Sequence, residues 1–250
     1  MEQHRVALVT GASYGIGHAT AVGLAQDGFD VAVTDLTTAA LENTVAAIEA
    51  AGRKALPLVL DTRDQTSVNQ TVATTVATLG GIDLLVNNAG VPSPGKPAID
   101  ITREDWERVL GVNLTGTFFM STTVGRHMLD TKWQGCVVSL ASTHGTVGFA
   151  GASAYGIAKA GISHMTRMLA IEWAPHGIRV NAIAPGTTET ESRRPNLVDP
   201  ERRGRMLTRI PLGRFGNAEE MAGAIRYLAS PLASYITGQI LLLDGGLTAY

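Results

Sequence analysis

Val6-Ala7-Leu8-Val9-Thr10-Gly11-Ala12-Ser13-Tyr14-Gly15-Ile16-Gly17 is a short apolar run that ends in a glycine-rich turn. Four consecutive apolar residues are the pattern of a strand covered on both faces, as in a parallel sheet. Glycines at 11, 15 and 17 permit a tight turn and leave bare backbone amides where a phosphate can approach. A helix expected from about residue 18 to 27 would then offer its positive N-terminal end to a pyrophosphate. Many turns carry three glycines. The position between a strand and a helix is what makes this one a dinucleotide-binding candidate.

Residues 30–35 read as the second strand, closed by Asp35. A carboxylate about twenty residues past such a turn accepts hydrogen bonds from the adenosine ribose hydroxyls and repels a 2′-phosphate. Positions 14 and 36 hold Tyr14 and Leu36 rather than a cation, so NAD is expected in preference to NADP. The competing reading makes Asp35 a cap for the next helix, a task that Thr37 or Thr38 could also perform.

Further short apolar runs at 55–60, 82–86, 135–140, 178–183 and 239–243 alternate with helical periodicity at 41–52, 68–80, 102–130, 153–173 and 218–228. Such alternation predicts an α/β fold: a doubly wound, Rossmann-type parallel sheet of about seven strands with helices on both faces. No linker or repeat divides the chain, so one domain over residues 1–250 is expected. The polar, Arg-rich segment 187–210, with Pro195 and Pro200, is either a lid over a site or a surface loop.

Composition narrows the function. A chain of 250 residues with 45% hydrophobic and 17% charged residues has a sizeable core, and its net charge of −2 makes no electrostatic case for nucleic acid or anionic membrane. No apolar stretch approaches the roughly eighteen residues of a membrane helix. The single Cys136 excludes an intramolecular disulfide, and no signal segment is visible near residue 1, so a reducing, cytoplasmic setting is expected. The six histidines are scattered without paired ligand spacing, so no metal site is expected.

The candidate chemistry lies at 142–159. Tyr155 and Lys159 are four residues apart, on one face of a helix. Ser142 follows the apolar run 136–140. Phenol, ammonium and hydroxyl could therefore meet at the carboxyl end of the sheet, although a Tyr–Lys pair at this spacing is also common on solvated helix faces. Asn113 stands in the middle of a helical region, where Asn is a mediocre helix former and usually has a hydrogen-bonding task.

With these motifs in order, the chain resembles the classical short-chain dehydrogenase/reductase family. The match runs from Thr10-Gly11-x-x-x-Gly15-x-Gly17 through Asn87-Asn88-Ala89-Gly90, Asn113, Ser142, Tyr155-x-x-x-Lys159 and Pro185-Gly186 to Ile236-Thr237-Gly238-Gln239 and Asp244-Gly245-Gly246. The resemblance implies that Tyr155 is the general acid/base and that Lys159 assists it and holds the nicotinamide ribose. It gives Ser142 the substrate oxygen and Asn113 a water leading to Lys159. It also implies a cofactor site of Gly11, Ser13, Tyr14, Gly15, Ile16 and Gly17, with Asp35, Leu36, Asp61 and Thr62 toward the adenosine. Asn88, Ala89, Gly90, Pro185, Gly186, Thr188 and Thr190 would line the rest, Thr188 standing where the family usually has Ile or Val. An ammonium about 4 to 5 Å from the phenol, at an effective dielectric of about 20, favours the phenolate by roughly 3 to 4 kcal/mol, which suits a base at neutral pH.

The expected reaction is therefore NAD(H)-dependent hydride transfer with a secondary alcohol or ketone, most plainly a sugar, polyol or sugar acid. Pro92, Ser93, Pro94, His144, Phe149 and Arg193 should surround that small-molecule substrate. Arg193 and Arg194 could meet an anion, or be solvated charge. The alternatives are a 3-oxoacyl-[acyl-carrier-protein] reductase using NADPH and a non-catalytic NAD-binding sensor. The resemblance also suggests a homotetramer built on the helices near 102–130 and 153–174 and on the C-terminal strand.

Overall fold

The computed structural model describes residues 5–191 and 198–249. Within them, seven strands form one sheet in the order β3-β2-β1-β4-β5-β6-β7, every neighbouring pair parallel. They are β1 (Arg5–Thr10), β2 (Phe29–Asp35), β3 (Ala55–Val59), β4 (Leu84–Asn87), β5 (Cys136–Leu140), β6 (Arg179–Pro185) and β7 (Ile240–Leu243). The apolar runs are the inner strands, buried on both faces, whereas β3 and β7 at the edges are partly exposed. Pro57 sits in edge strand β3, where a missing ladder donor is tolerated.

Alternation along each strand divides the core in two. Leu8, Leu85, Val137 and Val180 face α3 (Gln65–Leu79), α5 (Thr117–Thr131) and α6 (Ser153–Trp173), meeting Val72, Met120 and Ile162. Val9, Val86 and Val138 face the other way, toward Leu24 of α1 (Gly15–Gln26), Ile48 of α2 (Glu42–Ala50) and Ile225 of α8 (Ala218–Ala229). Chain order reverses between β1 and β4, which opens a crevice beyond their carboxyl ends, the place where such sheets bind ligands.

Two elements differ from the sequence-based expectation. The region 102–130 is helical throughout, as expected, but not uniformly α. A π-helical turn, Gly111–Gly116, separates α4 (Arg103–Leu110) from α5, and Asn113 lies inside it. The polar segment before residue 210 contains a helix, α7 (Pro200–Leu207), whose first turn is capped by the Asp199 carboxylate accepting the Glu201 amide, with Pro200 at the first helical position. Arg193, Arg194 and Pro195 lie outside the described residues. No described helix is long and apolar enough to cross a membrane.

Candidate active site

The glycine turn lies between β1 and α1. Gly11 and Gly15 take left-handed backbone angles, φ 63° and 58°. Gly17 is required by close approach: a Cβ there would lie 2.2 Å from the Gly11 carbonyl oxygen and 2.5 Å from Asn88 Nδ2. The N-terminus of α1 has no side-chain cap and no acid in its first turn. Its first amides therefore suit an anion, and this cradle fits the pyrophosphate of a dinucleotide. Asn88 shapes the turn rather than lining it passively: its Nδ2 donates to the carbonyls of Thr10 (3.0 Å) and Gly11 (2.6 Å). The Asn88 and Ala89 amides in turn donate to Thr10 Oγ1, both at 3.0 Å.

On the β2–β3 side, Asp35 turns back toward the glycine turn. Its Oδ2 accepts the Ser13 hydroxyl at 2.5 Å and its Oδ1 the Leu36 amide at 2.8 Å. The following 3-10 turn, Ala39–Leu41, has no side-chain cap, so the helix-capping reading of Asp35 does not hold. Asp61 is gripped by the Arg63 guanidinium, Nη2 to Oδ2 at 2.6 Å, and this hydrogen bond is the main reason its carboxyl lies below the usual range. Thr62 packs where a side chain on Gly116 would be. After β6, Gly186 passes Asp244, Thr188 bridges Gly216, and the Thr190 methyl stands over Gly15. The segment following Pro185 thus crosses above the glycine turn.

Lys159 and Tyr155 sit on α6. Lys159 is 4% exposed, and its Nζ donates to the Leu140 carbonyl at 2.6 Å and lies 5.6 Å from the Tyr155 ring centre. Burial of the ammonium pulls its pKa down from 10.5 to about 8. Ser142 leaves β5 in extended backbone. Its Oγ accepts the His144 amide at 3.2 Å and lies 3.4 Å from His144 Nδ1. The His144 ring meets Tyr155 edge-on, with centres 5.6 Å apart, and stacks on Phe149 at 4.1 Å. Gly145 permits this meeting, because a Cβ there would lie 2.7 Å from the Ala160 amide nitrogen. Ser142, Tyr155 and Lys159 are therefore brought together, with His144 and Phe149 as one wall.

Asn113 is fully buried, and its Nδ2 donates to the Val91 and Val109 carbonyls at 2.9 and 3.0 Å. Its Oδ1 is buried without a hydrogen-bond partner among the described residues and lies 2.7 Å from where a Cβ on Gly90 would be. A buried acceptor of this kind is suited to a water, and π-helical turns often mark functional sites. Ser93, expected near the substrate, lies in a loop after β4. Its hydroxyl donates to the Gly151 carbonyl at 2.7 Å and accepts the Gly95 amide, so it fastens two loops.

The sequence reading did not single out Arg209, whose guanidinium lies 5.2 Å from the Phe149 ring centre. Sixty residues separate the two, and no local pattern joins them. No cluster of three or more potential metal ligands occurs among the described residues.

The family model described as enoyl-(acyl carrier protein) reductase matches residues 11–248. The chain is 36% identical to gluconate 5-dehydrogenase of Gluconobacter oxydans, over 97% of this chain and 94% of that protein. It is 40% identical to 3-oxoacyl-[acyl-carrier-protein] reductase FabG of Thermotoga maritima, over 97% of each. A crystal structure from Agrobacterium tumefaciens with bound NADP superposes with a TM-score of 0.92, at 37% identity, covering 100% of this chain and 98% of that one.

Proposed function

We propose that this chain, which belongs to the short-chain dehydrogenase/reductase family, is an NAD(H)-dependent enzyme that interconverts a polar secondary alcohol and its ketone. A sugar, polyol or sugar acid is the substrate class we favour. The observation that carries this reading is the buried Lys159 ammonium one helical turn from Tyr155, beside Ser142 and at the mouth of the dinucleotide crevice.

A bound nicotinamide dinucleotide supplies hydride acceptance or donation. The chain's residues do the rest. The Ser142 hydroxyl orients the substrate oxygen. Tyr155, as phenolate, takes the hydroxyl proton during oxidation and returns it during reduction. Lys159 supplies positive charge beneath the phenol and a donor for the ribose. Asn113 Oδ1 is placed to hold a water. A cytoplasmic setting is supported by the lone thiol of Cys136, which is buried in β5.

NAD is favoured because Asp35, held by Ser13 and the Leu36 amide, would put its charge against a 2′-phosphate. The second reading, reduction of a 3-oxoacyl thioester with NADPH, is supported by the similarity to the Thermotoga protein. Turnover over sugars, polyols, sugar acids and hydroxyacyl thioesters with each dinucleotide separates them. The expected result is turnover of a polar alcohol with kcat/KM at least about tenfold higher for NAD+ than NADP+, and a ratio that narrows by about tenfold in Asp35→Ser. Preference for NADPH and a thioester would establish the second reading instead.

We also propose a homotetramer. Phe118 and Phe119 on α5, Met168 and Ile171 on α6, and Leu241 and Leu242 on β7 are each at least 39% exposed, more apolar surface than isolated solvent-facing residues need. Sedimentation equilibrium is expected to give four times the protomer mass; a single-protomer mass would refute the assembly.

A further inference from the structure

We propose that Thr117 is a positioning residue for proton release. Its hydroxyl, bound to the Asn113 carbonyl, holds the π-helical turn so that Asn113 Oδ1 stays where it can carry a water. The proposal rests on the proposed function and concerns how the same site loses its proton.

A succession of buried hydrogen bonds joins the π-helical turn to the sheet. Thr117 Oγ1 donates to the Asn113 carbonyl at 2.9 Å, and Ser121 Oγ donates to the Thr117 carbonyl at 2.7 Å. Asn87 Nδ2, at the end of β4, donates to Ser121 Oγ at 2.8 Å and to Ser139 Oγ on β5 at 3.1 Å. Asn87, Asn113, Thr117, Ser121 and Ser139 are each at most 5% exposed. Ser139 precedes Leu140, whose carbonyl accepts the Lys159 ammonium. The succession therefore links the turn that carries Asn113 to the strand end that fixes Lys159.

The buried face of α5 carries Thr117 and Ser121 in its first turns and Val124 and Met128 beyond them. An apolar pair at 117 and 121 would serve the core about equally well, because a buried hydrogen bond adds little net stability. What a fully satisfied buried network adds is a fixed geometry.

Packing alone does not supply that geometry. Leu114 lies against Gly161 of α6, where a Cβ would be 2.9 Å from Leu114 Cδ1. Gly116 lies under Thr62, where a Cβ would be 2.7 Å from the Thr62 hydroxyl oxygen. Such contacts locate the flanks of the turn but are non-directional. A π turn shifts the backbone ladder by one residue, and α5 resumes at Thr117, whose hydroxyl bonds back to the carbonyl four residues earlier. Asn113 is then held at two points: its Nδ2 by the Val91 and Val109 carbonyls, and its backbone by Thr117. Its Oδ1 has no hydrogen-bond partner among the described residues.

In alcohol oxidation the proton taken by Tyr155 must leave before the next turnover, and a water on Asn113 Oδ1 is the acceptor that the buried site offers. Loosening residue 113 slows that release and leaves the steps that bind alcohol and dinucleotide alone.

The test compares Thr117→Val, which keeps the shape and removes the hydroxyl, with Thr117→Ser, which keeps the hydroxyl and removes the methyl. Initial rates are taken with gluconate, sorbitol and a 3-hydroxyacyl thioester as probe alcohols, in H2O and D2O. One neutral hydrogen bond supports an effect of about 3- to 10-fold. Thr117→Val is expected to lower kcat by that factor, with KM for alcohol and NAD+ within about twofold and a larger solvent isotope effect on kcat. Thr117→Ser is expected to stay near wild type in all three. Hydrogen exchange over residues 109–119 of the cofactor-free protein is expected to speed up about 3- to 10-fold in Thr117→Val alone, with exchange in β1 unchanged. Equal losses in the two variants, a loss confined to KM, an unchanged isotope effect or unchanged exchange would each overturn the role of Thr117. Absence of wild-type turnover on every probe would defeat the oxidoreductase reading instead, and the exchange comparison would still decide whether Thr117 holds the turn.

Discussion

Replacing Tyr155 with Phe is expected to lower kcat for the preferred alcohol by about 10²- to 10⁴-fold, the range for a positioned general base. The substitution is selective. The ring that meets His144 edge-on and lies near Lys159 Nζ is retained, and only the hydroxyl is removed. Packing of α6 against the 142–149 loop should therefore persist, and dinucleotide affinity should stay within a few-fold. The check is initial-rate kinetics followed at the reduced nicotinamide, alongside a fluorescence titration with NADH. Activity near the wild-type level would rule Tyr155 out as the base.

Lys159→Met is expected to abolish turnover to a similar degree while making the cofactor-free protein more stable. Lys159 titrates at about 8 in the folded chain against an ordinary 10.5. Between those values the unfolded chain holds a proton that the folded one has released, so stability rises with pH across that window. Below about pH 8 the folded protein buries the charge and the full cost is present, about 3 kcal/mol. Methionine fills a similar volume without charge. It forfeits the hydrogen bond to the Leu140 carbonyl, which offsets about 1 kcal/mol. The net expectation is a Tm about 5 °C higher at pH 7, with the advantage shrinking as pH rises from 8 to 10.5. Thermal melts at pH 7 and pH 10 decide it. A Tm depressed equally at both values would show that the ammonium contributes to stability.

A buried ammonium beside a phenol is an arrangement that stability alone does not favour. Its persistence is explained by chemistry: the charge favours the phenolate only while the site keeps it away from bulk water. The Leu140 carbonyl at the end of β5 holds it there, which ties the strand end, the helix and the reacting group together.

Much of this was legible from local pattern. The apolar runs became the strands, the inner ones buried on both faces as a parallel sheet requires and β3 and β7 at its edges. The glycine turn and the helix over 153–173 were readable for the same kind of reason, since their signals are short-range: chain reversal, bare amides, and side chains one turn apart. The capping boxes at Thr102–Asp105 and Asn217–Glu220 likewise start α4 and α8 from within four residues of chain. Helix α7 escaped notice because its polar sequence lacks the apolar periodicity by which helices are recognised, although Asp199-Pro200-Glu201 is a cap and first-turn signature.

The sequence by itself determined the architecture, the family resemblance and the Tyr155–Lys159 pair, because each rests on spacing along the chain. Tertiary structure decided how those residues are used. It inserted a π-helical turn at Asn113 that leaves one amide oxygen unpartnered. It turned Asp35 toward Ser13 instead of the next helix, and engaged Ser93 with Gly151. It also set Arg209 on Phe149 and so on the wall that reaches Tyr155. These are contacts through space between segments far apart in the chain. Their energies come from packing and hydrogen-bond geometry that exist only once the sheet has brought the segments together.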